Sequence, residues 1–371
     1  MQKPESKTIY LPGLNGIRAI AALSVVFSHI TLSLKSFNLN PFILGTAYDG
    51  TPRGLDLAGF GVSIFFALSG FLITYLLQLE KDVAEINIKK FYIRRILRIW
   101  PLYYLYLFIV LILIFALGHE LNLKSLFCYV FFAANVPFIF KTTILFLSHY
   151  WSLGVEEQFY LFWPWFNKKV KSHIVVFIMF LICLLLGTKL ILHFFYPGSV
   201  LESIIHITRF HCMMIGALGA ILYKEKNKAF LQLFDNKIAQ LISWIVILLL
   251  IINKYHIASV IDNEIICVVT VAVIIGQINI RNRIINLETG VFDFLGKISY
   301  GIYIIHPLVI FLFAKILSSI EGADAGKYLL VYSSILLSTI LFAFLSYQYF
   351  ETYFLKLKTK VSIVRSSWTK K

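Results

Sequence analysis

The stretch Ser148-His149-Tyr150-Trp151-Ser152-Leu153-Gly154-Val155-Glu156-Glu157-Gln158-Phe159-Tyr160 gathers two carboxylates, an imidazole and several hydrogen-bonding groups in an otherwise apolar region. Successive helix positions turn by about 100°, so Glu156 and Glu157 point to different sides and do not form a glycosidase-like carboxylate pair by spacing alone. One of them either pairs with an arginine to hold a bundle together or orients a reacting group, since buried charges need partners.

Arg18 and His29 are a second constellation. On one helix their spacing leaves them about 20° from whole turns and roughly 16 Å apart along the axis. Both then point from one face, with His29 well inside the apolar run. It is either a packed, hydrogen-bonded histidine or a working one, because ionisable groups at membrane depth are costly and usually face a cavity. A third constellation is Arg94, Arg95 and Arg98, which follow Lys89 and Lys90. Arg95 and Arg98 are three apart and share a helix face. A planar guanidinium suits phosphate because it makes two parallel hydrogen bonds; the plainer reading is anchoring of a helix end by basic residues. Later come Arg209 with His211, and Ser299 and Tyr300 with His306. His211 reads as structural. The run from Gly61 to Gly70 reads as close helix packing through small residues.

No GxxxxGK[ST], GxSxG or HExxH pattern is present, which removes most of the case for nucleotide hydrolysis and zinc chemistry. The four cysteines, Cys128, Cys183, Cys212 and Cys267, lie singly in apolar runs and read as inert buried thiols. No metal is expected.

The elements that must carry these groups are membrane helices. The chain has 371 residues, 59% of them hydrophobic and 14% charged, with mean hydropathy +0.81. The apolar residues come in blocks that approach the roughly 20 residues needed to cross the hydrocarbon core. The first block, with Arg18 and His29 in it, reads as a retained helix and not a cleaved signal. The net charge of +15 does not indicate nucleic acid, because Lys and Arg gather in short stretches between apolar runs. Those stretches are Lys3 to Arg18, Lys81 to Arg98, Lys168 to Lys171, Lys224 to Lys228, Arg281 to Arg283 and Lys356 to Lys371. The alternate stretches, 36–56, 118–124, 197–205, 253–264 and 318–327, are poor in them.

The positive-inside rule places the basic set, and both termini, in the cytoplasm. Helices are then expected near 17–35, 57–79, 99–117, 174–196, 206–223, 238–252, 259–278, 291–316 and 328–350. The interval 118–167 must make an odd number of crossings although it holds two apolar pieces, about 125–140 and 144–166. One piece is therefore expected to be re-entrant or broken, with a cavity beside residues 141–158, because irregular backbone survives at membrane depth only where protein or water satisfies it. The expected fold is an all-α polytopic bundle of about ten crossings. It forms one domain over residues 1–371 with a core of about 10–355.

Five segments in this order are those of the acyltransferase-3 family of integral membrane O-acyltransferases, which the chain resembles over nearly its whole length. They are Gly16 to Leu23 followed by His29; Phe65 to Ile73, containing Ser69-Gly70-Phe71-Leu72; Arg94-Arg95 with Arg98 and Pro101; Trp151-Ser152-Leu153 with Glu156, Phe159 and Tyr160; and Ser299-Tyr300 with Tyr303 and His306. The resemblance implies transfer of an acyl group, commonly acetyl, from cytoplasmic acyl-CoA to a hydroxyl of an extracytoplasmic glycan or lipid-linked glycan, in the inner membrane of a bacterium. Relatives often carry a periplasmic hydrolase-like domain at the C-terminus. Here the chain ends in a basic tail, so direct transfer or a separate extracytoplasmic transferase partner is expected. Ser63 stands where an acidic or amide residue is common.

Under the resemblance, Arg95 and Arg98, with Arg94 and Arg18, hold the phosphates of acetyl-CoA. His29 is the general base or a transient acyl carrier, roles that suit an imidazole titrating near neutrality. Glu156 orients a catalytic group, and His149, Tyr150, Trp151 and Ser152 position thioester or sugar. Tyr300 and His306, on one helix, are also expected at the substrate, and His306 is a second candidate for the catalytic imidazole. The rival from another class is a transporter or flippase, which would show internal repeats; none is apparent.

Overall fold

The computed structural model describes residues 8–170, 172–320, 325–361 and 365–367. Lys3, Lys7, Lys171, Lys370 and Lys371 of the basic stretches lie outside them. Apart from a short parallel pairing of Thr8–Tyr10 with Arg365–Ser367, the regular structure is helical. In chain order the helices are α1 (Leu14–Ser33), α2 (Asp56–Val83), α3 (Ile88–Ala116), α4 (Leu123–Val130), α5 (Asn135–Ile139), α6 (Tyr150–Lys169), α7 (Ile174–Phe195), α8 (Val200–Thr208) and α9 (Phe210–Lys224). They continue with α10 (Lys228–Phe234), α11 (Lys237–Ile251), α12 (Asp262–Ile278), α13 (Gly290–Lys297), α14 (Ser299–Leu317), α15 (Ala325–Ser346) and α16 (Thr352–Val361). The architecture is thus an all-α, multi-pass membrane bundle.

Seven described spans are long and apolar enough to cross a membrane, eight when the pair α10–α11, bent by 54°, counts as one. The other two of the ten expected crossings correspond to α6 and α12. Of these two, α6 is the more polar helix, with Ser152, Glu156, Glu157, Gln158 and Asn167 among its Tyr and Trp residues, and α12 is only 17 residues long with Asp262 and Glu264 in its first turn. Outward faces of the long helices present large apolar side chains, such as Phe177, Phe180 and Leu184 on α7 and Leu337 and Leu341 on α15. An apolar belt of this kind is what lipid requires.

The two sets of loops meet at opposite ends. At the basic end Lys81 donates to the Val170 carbonyl at 3.3 Å and Lys224 pairs with Asp82 at 2.7 Å. At the other end Asn38 donates to the Ser318 carbonyl at 3.1 Å, Tyr328 to the Asn40 carbonyl at 2.9 Å, and Tyr48 bonds Ser259 at 3.2 Å. Loops that charge alone sorts into two sides are therefore tied to their own kind.

Between α3 and α6 the chain is broken. At about 1.5 Å per residue, α4 and α5 are too short to cross the hydrocarbon core, and Phe132, Lys141 and Phe146 have positive φ. Protein groups take up the carbonyls this leaves open. Tyr103 and Tyr104 on α3 donate to the Tyr129 and Val130 carbonyls at 2.7 and 2.8 Å. Gln158 donates to the Phe132 carbonyl at 3.1 Å, and Ser125 to that of Thr142 at 2.7 Å. The expected irregular stretch is present, with these carbonyls satisfied from α3, α4 and α6.

Two helices expected to be continuous are interrupted. The run expected over 206–223 breaks between α8 and α9 at Arg209, whose φ of 42° is left-handed. The Arg209 guanidinium donates to the His206 carbonyl at 2.7 Å and to Asn263 at 2.9 Å, which holds the break open. The run expected over 291–316 divides at Ile298 into α13 and α14, where Ser299 donates to the Gly296 carbonyl at 2.9 Å. The Gly61–Gly70 run packs as expected. A Cβ on Gly70 would lie 1.9 Å from the Met213 carbonyl oxygen, and one on Gly216 would lie 1.9 Å from that of Ala67, so α2 and α9 touch backbone to backbone.

Candidate active site

A cavity opens between α1, α2, α3, α6 and α14. Its polar wall comprises Arg18, Arg95, Arg98, Ser69, Ser152, Glu156, Tyr160, Ser299, Tyr300 and Tyr303; Phe65, Phe66 and Leu72 are among its apolar lining. Several of these polar groups are held from behind. Arg18 donates to Asn15 at 2.9 Å, and Asn15 donates to Asp293 on α13 at 2.7 Å. Tyr300 donates to the Ile99 carbonyl at 2.7 Å, fixing α14 against α3. The Arg95 guanidinium lies 5.9 Å from the Tyr160 ring centroid, and the Tyr160 hydroxyl is hydrogen-bonded to Ser69. Glu156 enters the cavity, whereas Glu157 turns to α3 and accepts from Trp100 at 3.2 Å. Three guanidinium groups against one carboxylate give the lining a positive balance that suits a polyanion.

Arg18 and Leu72 also line a smaller crevice of about 510 Å³ that reaches Tyr10, Glu288 and Asp293 at the basic end. There Tyr10 donates to Glu288 at 2.6 Å; burial, and then that carboxylate, push the phenol well above its ordinary pKa.

A histidine group adjoins the main cavity. His29 Nδ1 lies 2.7 Å from His306 Nε2, and the His149 and His306 rings are 5.3 Å apart. Ser152 and Tyr303 belong both to the cavity wall and to this group. Their hydroxyls are 2.6 Å apart, and Tyr303 donates to the His149 carbonyl at 2.8 Å. His306 is fully buried, and the His149 ring is buried without a well-formed hydrogen bond. Three histidines from three distant segments, given separate parts by sequence, form one cluster. None of the three is among the residues lining the cavity; Ser152 and Tyr303 link them to it.

Other singled-out residues face elsewhere. Arg94 forms a buried ion pair with Glu80 at 2.8 Å, and Glu80 also accepts the Asn87 backbone N–H at 3.0 Å, bracing the entry to α3. Tyr150 donates to the Tyr103 carbonyl at 3.0 Å inside the protein. Trp151 stacks on Phe138 with centroids 5.4 Å apart, meets Phe66 edge-on, and lies under the Arg209 guanidinium at 5.7 Å.

Arg209 also joins Ser63, which donates to Asn263 at 2.8 Å. The short Ser63 side chain thus completes an α2–α9–α12 junction. His211 donates to Glu264 at 2.6 Å, and Lys189 donates to the same carboxylate oxygen at 2.6 Å. His211, Cys212 and Glu264 bring potential ligand atoms within 4.8 Å of one another, and the Lys189 ammonium already balances the carboxylate. A second cavity of about 890 Å³, lined by Lys189, His193, Glu202, His206 and Ser259, borders this junction.

Lys189 and Glu264 carry no sequence motif that singles them out, and the hydroxyl of Ser69 had no assigned role. A lysine within the 22 residues of an apolar α7 was the available signal for that ion pair. Ser69 stood inside a run read for small-residue packing and for the family pattern; its hydroxyl meets Tyr160 on α6 while Gly70 meets Met213 on α9.

The acyltransferase domain family matches residues 11–348. "Putative O-acetyltransferase SAR0937" of Staphylococcus aureus (strain MRSA252) is 29% identical over 398 residues, covering 98% of this chain and 60% of that protein. "Peptidoglycan O-acetyltransferase OatA" of Listeria monocytogenes (serovar 1/2a, strain ATCC BAA-679 / EGD-e) is 35% identical over 173 residues, 42% of this chain and 24% of that protein. The chain thus spans at most about 60% of the length of these two curated relatives. No solved structure matches it. With the match running from before Arg18 to beyond His306, the chain belongs to this acyltransferase family.

Proposed function

We propose that the protein is an O-acyltransferase of the bacterial cytoplasmic membrane. It takes an acyl group, acetyl in the simplest case, from acyl-CoA on the cytoplasmic side and passes it to a hydroxyl of an extracytoplasmic glycan. The carrying observation is the cavity in which Arg18, Arg95 and Arg98 stand toward the basic end while Ser152 and Tyr303 join it to His29, His149 and His306. With both termini cytoplasmic, as the positive-inside rule requires, the crevice beyond Arg18 is the entry for the donor. The Listeria relative's name favours a polysaccharide acceptor.

The lining fits coenzyme A on charge. The guanidinium groups match its phosphates. Arg95 and Arg98 hold the pyrophosphate and 3′-phosphate, and Arg18 sits at the mouth. Bound acyl-CoA supplies a thioester whose acyl carbon is open to attack. Tyr303 and Ser152 position groups at the boundary between cavity and histidines. His29 offers a lone pair, to the acceptor hydroxyl as a base or to the acyl carbon as a carrier. Glu156 orients the arginines across from it. Arg94, committed to Glu80, braces α3 and does not touch the donor.

Calorimetry with purified protein tests the donor site. Acetyl-CoA should bind, and dephospho-CoA, lacking the 3′-phosphate, should bind more weakly. Equal affinity for acetyl-CoA and simple S-acetyl pantetheine would contradict the assignment.

A further inference from the structure

Resting on the acyl transfer just proposed, we propose that His306 is a positioning residue that fixes the tautomer of His29 and so makes His29 Nε2 the reacting nitrogen. Two distances carry this. His306 Nδ1 lies 3.2 Å from the Ile302 carbonyl oxygen, and His306 Nε2 lies 2.7 Å from His29 Nδ1. A carbonyl only accepts, so the proton of a neutral His306 is on Nδ1. Its Nε2 then carries a lone pair, and the short contact requires His29 Nδ1 to donate. The proton of His29 is thereby held on Nδ1, leaving a lone pair on Nε2. No carboxylate hydrogen-bonds either ring among the described residues. A neutral imidazole anchored by a carbonyl thus takes the place that a carboxylate holds in a serine hydrolase triad.

Helix α14 supplies this geometry. Pro307 follows His306 and brings no N–H to the carbonyl of Tyr303, which loosens the turn on which the His306 ring folds back. Ser152 and Tyr303 close the other side of the cluster, so the His306 ring is fully buried and held in one orientation. His29 is the more accessible member, on a helix whose other end carries Arg18.

In the base form of the reaction, the hydroxyl proton of the acceptor moves to His29 Nε2 as the acceptor oxygen bonds the acyl carbon. The same nitrogen returns the proton to the departing thiolate as the C–S bond breaks. Throughout, Nδ1–H stays on His306, which spreads the transient charge of the imidazolium without moving a proton.

The test uses the full chain in detergent or nanodiscs, labelled with 15N-histidine. The ring nitrogens of His29 are assigned by difference from His29→Ala. The spectrum should show a neutral ring protonated on Nδ1, and His306→Phe should shift it toward a mixture. His306→Phe should lower kcat with acetyl-CoA by about tenfold or more while KM stays near wild type. His306→Gln, whose carboxamide oxygen reaches the Nε2 position, should restore much of that loss. A wild-type His29 protonated on Nε2 would overturn the proposal, as would a His306→Phe protein with unchanged kcat. If the wild type turned over no acyl-CoA, the acyl-transfer assignment would fail, and the spectrum alone would decide the tautomer.

Discussion

Arg94 and Arg95 are adjacent in sequence and do opposite things: Arg94 is locked onto Glu80 at 2.8 Å, while Arg95 lines the cavity. Removing Arg94 leaves a buried carboxylate unpaired, which costs about 3–5 kcal/mol. Arg94→Ala should therefore lower the thermal midpoint in detergent strongly and leave the KM for acyl-CoA of the surviving protein little changed. Arg95→Ala and Arg98→Ala should do the reverse. Each is expected to raise that KM about tenfold or more, the effect of losing a charge-assisted hydrogen bond worth about 1.5–3 kcal/mol. Thermal melts and initial rates on the same preparations separate the two classes.

His29→Ala should insert and fold but lose acyl transfer by about a hundredfold or more, the usual contribution of a positioned base. Size-exclusion profiles and acetyl-CoA affinity should stay near wild type, because His29 is not among the residues lining the donor cavity. A fall in affinity matching the fall in rate would move His29 from chemistry to binding.

The broken stretch depends on tyrosine hydroxyls. Tyr103→Phe leaves the Tyr129 carbonyl without its donor deep in the protein, at a cost of about 1–3 kcal/mol. It should lower the thermal midpoint more than Tyr353→Phe, whose side chain is exposed at 65%. Hydrogen exchange should rise over residues 123–149 in the first variant and remain unchanged there in the second.

Backbone contact between α2 and α9 makes Gly216 intolerant of any side chain. Gly216→Ala would set a Cβ 1.9 Å from the Ala67 carbonyl oxygen, whereas Gly59→Ala, on α2 itself, meets nothing within 4 Å. The first should yield little monodisperse protein and the second normal yield. Fluorescence-detected size exclusion of the two variants checks this.

Much of this organisation was legible in the sequence because lipid imposes simple rules. Alternation of basic and non-basic loops gave the two ends, and the odd parity over 118–167 located the broken segment around 125–166. Eleven-residue spacing put Arg18 and His29 on one face of α1. Helix periodicity likewise separated Glu156 from Glu157, and the structure sends them to the cavity and to Trp100. What escaped were choices made by partners far along the chain. Nothing local distinguishes Arg94 from its neighbours; Glu80 does. The helix break at Arg209 depends on Asn263, and the charge of Lys189 is answered by Glu264, 75 residues away. Nor does spacing alone bring His29, His149 and His306 together, since their meeting depends on how α1, α6 and α14 pack.

The most direct measurement is acyl transfer across a bilayer by protein reconstituted in one orientation. Labelled acetyl-CoA is supplied on the side of the basic loops, and a soluble cell-wall glycan on the other. O-acetylated glycan should form in step with release of free CoA thiol, from wild type and not from His29→Ala. Label that stays with CoA, or glycan that crosses the membrane unmodified, would contradict acyl transfer across the membrane.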